Sequence, residues 1–253
     1  MSTKESVQEI YDKQSNKWSR SEPSIVSDFT GRPSTLEMCG DIEGKNVLDL
    51  GCGEGYCSRI LVTKKPAKIT GVDISEEMIK RALERESSEK LGISYFCEDA
   101  AKYEFEKNTY DLILGMFIFN YVPINVMRAI LANVHSSLKE GGEMVFAVPH
   151  PSFAFIRKKN EPPFYFDRGE YNYFNAKDVE LEGRIWRRSG EALNVRSFHK
   201  TFEDYVSAVN DAGFSKIVQM KELYVTDDIL NIDKDFFQGL DGIPLHAAFK
   251  IKK

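Results

Sequence analysis

Asp49-Leu50-Gly51-Cys52-Gly53-Glu54-Gly55 ends a short apolar run, KNVLDLG (45–51), and leads into a helix-like segment at 55–64. Glycines at every second position remove side chains where a ligand must press on the backbone, and they permit the turn itself. In open α/β sheets, ligands lie beyond the carboxyl ends of the strands, near the point where strand order reverses. The dinucleotide fingerprint GxGxxG would require glycine at 56, where this chain has Tyr56.

Working outward, the same rhythm continues. AKITGVD (67–73), ISYFCED (93–99), YDLILGM (110–116) and EMVFAVP (143–149) read as further strands. Ser75 followed by Glu76 and Glu77 reads as a capped helix start, with acids at its positive end, running to about Ser88. Residues 124–138 form the next helix, which Gly141-Gly142 is expected to close. YDLILGM is apolar throughout, so it is expected to be buried on both faces. Strand and helix alternate five times with short links, the mark of a parallel sheet covered by helices on both sides.

Before this core, residues 3–18 have a loose helical spacing, 19–32 read as a linker, and Pro33 opens a short helix stopped by Gly40. After Pro149 comes an aromatic- and charge-rich stretch. TFEDYVSAVNDAG (201–213) is then a helix with a Thr cap, and FSKIVQMKELYV (214–225) and IPLHAAFKIKK (243–253) alternate as strands that suit antiparallel pairing.

Composition sets the class. The chain has 253 residues, 42% apolar and 29% charged, which fits a globular protein and excludes a disordered tail, a collagen-like fibre or a membrane bundle. The net charge of −5 argues against a surface that grips nucleic acid, so no nucleic-acid partner is expected. The longest near-apolar run, Leu112 to Val122, is too short to span a bilayer, and the polar start carries no signal-like segment. Cys39, Cys52, Cys57 and Cys97 form no CxxC pair, so neither a disulfide scaffold nor a zinc knuckle is suggested, and a cytoplasmic location is expected. The histidines are not paired at metal-ligand spacing, and no metal is expected.

Asp73 ends the second strand, where a carboxylate can accept both hydroxyls of a ribose. Glu98-Asp99-Ala100 follows the third strand, where a carboxylate can take an amine hydrogen from adenine. Any one of Asp49, Asp73 and Asp99 could be a turn or cap residue. Together, at successive strand ends behind the glycine turn, they describe a nucleoside site. So many acids suit a cationic ligand better than a polyphosphate.

VLDLGCGEGYCS (47–58), GVDISEEMI (71–79), CEDA (97–100), YDLILGMFIFNYV (110–122) and LKEGGEMVFAVPHP (138–151) occur in the order and spacing of the class I S-adenosylmethionine-dependent methyltransferases, which this chain resembles across 45–151. The resemblance implies a Rossmann-like, seven-stranded, mostly parallel sheet with an antiparallel last strand, and S-adenosyl-L-methionine as cofactor. It assigns Gly51, Gly53 and Gly55 to backbone approach around the methionine part and Asp49 to its amino group. Asp73 would hold the ribose, Ile74 would pack on adenine, and Asp99 and Ala100 would meet the adenine edge. Met116 would sit beside the cofactor. Tyr11 and Trp18 resemble aromatic lid residues of small-molecule members. Asn120-Tyr121 departs from the family, which often has histidine there.

The implied organisation is an N-terminal helical lid (1–40), a cofactor-binding domain (41–149 and 201–253) and an inserted substrate cap (150–200). The stretch 151–200 carries ten Lys/Arg against seven Asp/Glu, and with its aromatics it suggests an anionic or aromatic small-molecule substrate. His150 and His199 flank the expected cleft and are the candidate bases, whereas His135 and His246 read as structural. The reaction expected is methyl transfer to oxygen or nitrogen of a small molecule. A protein or RNA methyltransferase, another reaction of the same cofactor and a non-catalytic binding protein are the alternatives.

Overall fold

The computed structural model describes residues 5–19, 21–103 and 105–253. The N-terminal segment folds as α1 (Val7–Trp18), α2 (Val26–Thr30) and α3 (Arg32–Met38). The alternating core follows as β1 (Asn46–Leu50), α4 (Tyr56–Val62), β2 (Lys68–Asp73), α5 (Glu76–Glu89), β3 (Ile93–Cys97), β4 (Tyr110–Met116), α6 (Ile124–Ser137) and β5 (Leu138–Pro149). Then come α7 (Phe153–Ile156), β6 (Phe164–Asp167), β7 (Glu180–Trp186) and β8 (Ala192–Phe198). The chain ends with α8 (Phe202–Asp211), β9 (Lys216–Leu223), α9 (Asp227–Ile232) and β10 (His246–Lys252).

Seven strands form one sheet in the order β3-β2-β1-β4-β5-β10-β9. The first five are parallel, and β10 runs antiparallel to both β5 and β9. This is the Rossmann-like methyltransferase topology. The chain leaves β1 toward β2 on one side and returns through β4 on the other, so the order reverses at the carboxyl end of β1, where the glycine turn lies.

Successive side chains of a strand point to opposite faces. Val47, Leu112, Leu114, Val145 and Ala248 pack on the α3/α4 side. Leu48, Leu50, Ile113, Phe146 and Phe249 pack on the α6/α8 side. Asp49 shares the parity of Val47, so it points toward α4. The caps read from the sequence are present: Ser75 Oγ accepts from Met78 N at the start of α5, and Thr201 and Asp204 form a capping box on α8.

Several details differ from the sequence reading. The supposed linker 19–32 contains α2, a five-residue helix too short to show a period. Gly141-Gly142 does not close α6. The helix stops at Ser137 and β5 begins at once, with the glycines inside a bulge where the register jumps from Tyr110↔Leu138 to Leu112↔Glu143 and Gly141 takes φ +74°. The loop between β9 and β10 contains α9, a six-residue helix with no buried residue to mark it.

Strands β6, β7 and β8 form a separate antiparallel sheet. Its apolar face joins a third cluster: Phe153, Phe164, Phe166, Leu193 and Val195 meet Trp18, Ile25 and Val26 from the N-terminal segment and Phe237, Leu240 and Leu245 from the loop before β10. Three stretches distant in sequence therefore build one small core above the main sheet.

Candidate active site

The turn after β1 is tied down on both sides. Gly51 and Cys52 donate their amides to the Val72 carbonyl at 2.8 and 3.0 Å. Asp73 accepts from Gly53 N through Oδ2 and from Ser75 N through Oδ1, each at 2.9 Å. Its carboxylate thus sets the shape of the turn with two of its roughly four acceptor positions and keeps the rest. Burial pushes its pKa up, and the backbone donors oppose that rise.

Gly51, Gly53 and Gly55 all have left-handed φ of +75°, +56° and +81°. Their surroundings differ. A Cβ at Gly53 would meet nothing within 4 Å, so its missing side chain leaves open volume. At Gly51 a Cβ would press on Ile118 at 3.2 Å, and at Gly55 it would strike the Tyr95 hydroxyl at 2.3 Å. Gly51 and Gly53 line the main cavity, whereas Gly55 does not. The third glycine thus answers to packing against Tyr95. Gly55→Ala is expected to destabilise the fold by about 1–3 kcal/mol, from positive φ plus overlap, as read by a denaturant melt.

Asp49 is fully buried. Ser58 Oγ donates to its Oδ2 at 2.6 Å, and Oδ1 has no hydrogen-bond partner among the described residues. Burial raises its pKa to about 6. Asp49 lines a cavity of about 440 Å³ together with Asp73, Ile74, Asp99, Ala100 and Met116. Asp99 holds the Ala101 amide at 2.9 Å and an exposed Lys102 at 3.1 Å.

Helix α1 covers this cavity. Tyr11 packs against Trp18 with ring centroids 5.1 Å apart and edge-on to Tyr121 at 5.3 Å, and the two tyrosine hydroxyls are hydrogen-bonded. Gln14 exchanges two hydrogen bonds with the Asn194 backbone on β8, and Asp12 accepts from the Ser75 hydroxyl at the start of α5. The helix therefore spans from the main sheet to the small sheet.

Beyond Met116 the cavity becomes aromatic, with Phe117, Phe153, Phe164 and Phe166 in its wall. Arg32 enters there: its guanidinium lies 5.1 Å from the Phe117 ring centroid, and Nη1 donates to Asp28 Oδ1 at 2.9 Å. His246 also lines this end. Neither Arg32 nor Tyr121 was picked out as a site residue by the sequence reading, and His246 was read as structural. The signal for His246 was register: it pairs with Pro149, so it lies at the same sheet edge, and it shares the parity of Ala248 on the α3 side.

His150 and His199 are not in this cavity. Both border a separate recess of about 20 Å³. His150 follows Pro149 by one residue, and alternation turns it to the opposite face, edge-on to Phe202 at 4.9 Å, with Nε2 2.8 Å from Glu222. His199 Nε2 donates to the Tyr173 carbonyl at 2.8 Å. Burial lowers the pKa of both. Position just after a strand end located His150 along the sheet but not across it.

Among the described residues there is no cluster of three or more His, Cys, Asp or Glu that could hold a metal ion, and no helix is long and apolar enough to cross a membrane.

A glycine turn at the switch point and acids around one cavity suit a nucleoside ligand that carries a cation. Comparison with known proteins narrows this. A family described as a methyltransferase domain matches residues 47–142. A ubiquinone biosynthesis O-methyltransferase from Coxiella burnetii is 33% identical over 118 residues, 47% of this chain and 49% of that protein, so the chain matches about half of that relative's length. A malonyl-[acyl-carrier protein] O-methyltransferase from Acetivibrio thermocellus is 28% identical over 242 residues, 85% of this chain and 83% of that protein. The solved structure of an S-adenosylmethionine-dependent methyltransferase from Mesorhizobium loti has a TM-score of 0.67 at 25% identity, covering 87% of this chain and 96% of that one. Residues 47–142 are a methyltransferase domain, and the chain is an S-adenosylmethionine-dependent methyltransferase, an enzyme whose cofactor is S-adenosyl-L-methionine.

The residues present fit that cofactor. A buried carboxylate oxygen without a partner calls for a cation or a donor, and the open volume at Gly53 admits a ligand against bare backbone.

Proposed function

We propose that this enzyme methylates an oxygen or nitrogen of a small, largely apolar molecule. One observation carries the reading: a single cavity joins the acids of the cofactor end to an aromatic compartment walled by α1 and the small sheet. Residues 150–200 act as the substrate cap and α1 as the lid.

Asp49 faces the cofactor's ammonium, Asp73 its ribose diol, and Asp99 and Ala100 its adenine edge, with Ile74 and Met116 packed against it. Gly51 and Gly53 allow backbone approach. Tyr11 and Trp18 close over the ligands. A carboxylate reaching the aromatic end of the cavity, whether from the cofactor or the acceptor, meets Arg32, whose Nη1 is also held by Asp28. We give His150 and His199 no part in the chemistry, because they border a different recess.

The cofactor supplies a methyl group on a positively charged sulfur with its leaving group built in. The protein has to bring the acceptor in line with it and exclude water, and such alignment contributes on the order of 7–11 kcal/mol. The aromatic wall excludes water, and the lid contacts to β8 and α5 hold the compartment closed. The two named relatives are O-methyltransferases, which supports an oxygen acceptor ahead of a nitrogen one. Four free cysteines support a reducing, cytoplasmic setting.

A panel of small phenols, carboxylic acids and amines, assayed for S-adenosylhomocysteine release, tests this reading. Turnover is expected with one of these classes and not with RNA or folded protein. Methylation confined to a macromolecular acceptor would overturn it.

A further inference from the structure

Among the described residues His246 is the one imidazole that lines this cavity, and its geometry does more than fill space. It stands at the first position of β10, on the face toward α3, with Phe117 and Phe153 at ring-centroid distances of 5.2 and 5.4 Å. Its Nδ1 lies 2.9 Å from Thr30 Oγ1. Thr30 Oγ1 in turn donates to the Val26 carbonyl, one helical turn back, at 3.0 Å.

A threonine hydroxyl has one proton. With that proton directed at Val26, Thr30 can only accept from the ring, so Nδ1 carries the imidazole hydrogen and Nε2 is left with a bare lone pair. Nε2 has no hydrogen-bond partner among the described residues. The volume that His246 lines is the aromatic end of the cavity. Burial and the neighbouring Arg32 and His150 keep the ring neutral, against a smaller opposing pull from Asp28.

Resting on the methyltransferase reading above, we propose that His246 Nε2 accepts the hydrogen of the acceptor's O–H or N–H group, and is the residue that orients the nucleophile and takes its proton. The acceptor's lone pair forms the new bond to carbon. The carbon–sulfur pair stays on sulfur, giving the neutral thioether, and the acceptor's proton moves to Nε2. The single positive charge that began on sulfur ends on the imidazole, so the compartment gains no net charge, and the ring returns its proton to water when the lid opens. Thr30 acts through His246 by holding the tautomer and is a positioning residue.

Two measurements test this. Nitrogen-15 NMR of histidine-labelled protein, with the His246 resonances assigned by their loss in His246→Gln, should show a neutral ring protonated on Nδ1 at pH 7. Thr30→Val should populate both tautomers. A ring protonated on Nε2 in the wild type would overturn the proposal without reference to activity. Secondly, with the acceptor class found in the panel, His246→Gln and His246→Phe should each lower kcat/KM about 10²-fold, the low end of the range for a lost general base, because burial weakens the ring as a base. Affinity for S-adenosylhomocysteine by calorimetry should stay within about twofold. Thr30→Val should fall between these variants and wild type. His246 variants that keep wild-type kcat/KM would overturn the proposal and leave the function standing. A wild type that turns over no small acceptor would instead remove the function and the proposal with it.

Discussion

Asp49→Asn is expected to make the empty protein more stable at neutral pH while weakening S-adenosylmethionine binding about 10²–10⁴-fold. Both effects follow from one buried carboxylate. In the empty protein its pKa is about 6, against an ordinary 3.8, because burial disfavours the charged form more than the Ser58 hydrogen bond favours it. Between about pH 4 and pH 6 the unfolded chain has released this proton and the folded chain has not. Stability contributed by Asp49 is therefore present below pH 4 and lost as pH rises through 6. Asparagine keeps the acceptor for Ser58 and removes the charge. A shift of about two units corresponds to roughly 3 kcal/mol, and at about 2–4 °C per kcal/mol the empty variant should melt about 6–12 °C above wild type at pH 7.5.

The binding loss has the opposite sign because, in the proposed placement, the ligand's cation compensates the buried charge. Truncating one partner of such a pair costs about 3–5 kcal/mol. Thermal melts with and without S-adenosylmethionine read both effects in one experiment. Wild type should start lower and rise on adding cofactor, and the variant should start higher and stay put. A variant less stable than wild type when empty, yet still shifted by cofactor, would place the ammonium elsewhere.

Asp73→Ala carries the second large effect. The substitution removes the acceptor for Gly53 N and Ser75 N and the proposed partner of the ribose hydroxyls. Hydrogen bonds to a charged group are worth about 1.5–3 kcal/mol each, so losing two to the ligand weakens S-adenosylhomocysteine binding about 10²–10⁴-fold by calorimetry. Asp73→Asn separates the two roles. Its single carbonyl oxygen can serve one backbone amide but not both amides and a diol, so it should also bind poorly while retaining more stability than alanine. An Asp73→Ala protein that still binds with wild-type affinity would show that the carboxylate serves the turn alone.

The sheet was readable because its signals are local. Five apolar runs of strand length, the first, second and fourth of them leading into helices, leave few topologies once crossovers must be right-handed. The glycine turn announced its backbone through alternation alone. Asp49 and Asp73 could be placed near each other because they end adjacent strands, although the sequence did not reveal that Asp73 also braces the turn. Gly55 was grouped with Gly51 and Gly53 by spacing, and it took the position of Tyr95 to separate them.

His150, His199 and His246 mark the boundary. Alternation along a strand is known from sequence, but which parity faces which layer depends on what packs there. Pro149 and His150 are neighbours in the chain and lie on opposite faces, whereas His246 reaches the cavity because β10 enters antiparallel in a register that pairs it with Pro149. The amino-acid order by itself determined the strand–helix alternation, the glycine turn and the acids at the strand tips, since each depends on residues a few positions apart. Only the tertiary structure decided which histidine lines the cavity, where Arg32 lies and how the upper core closes, because those contacts join segments up to 216 positions apart whose pairing no local pattern encodes.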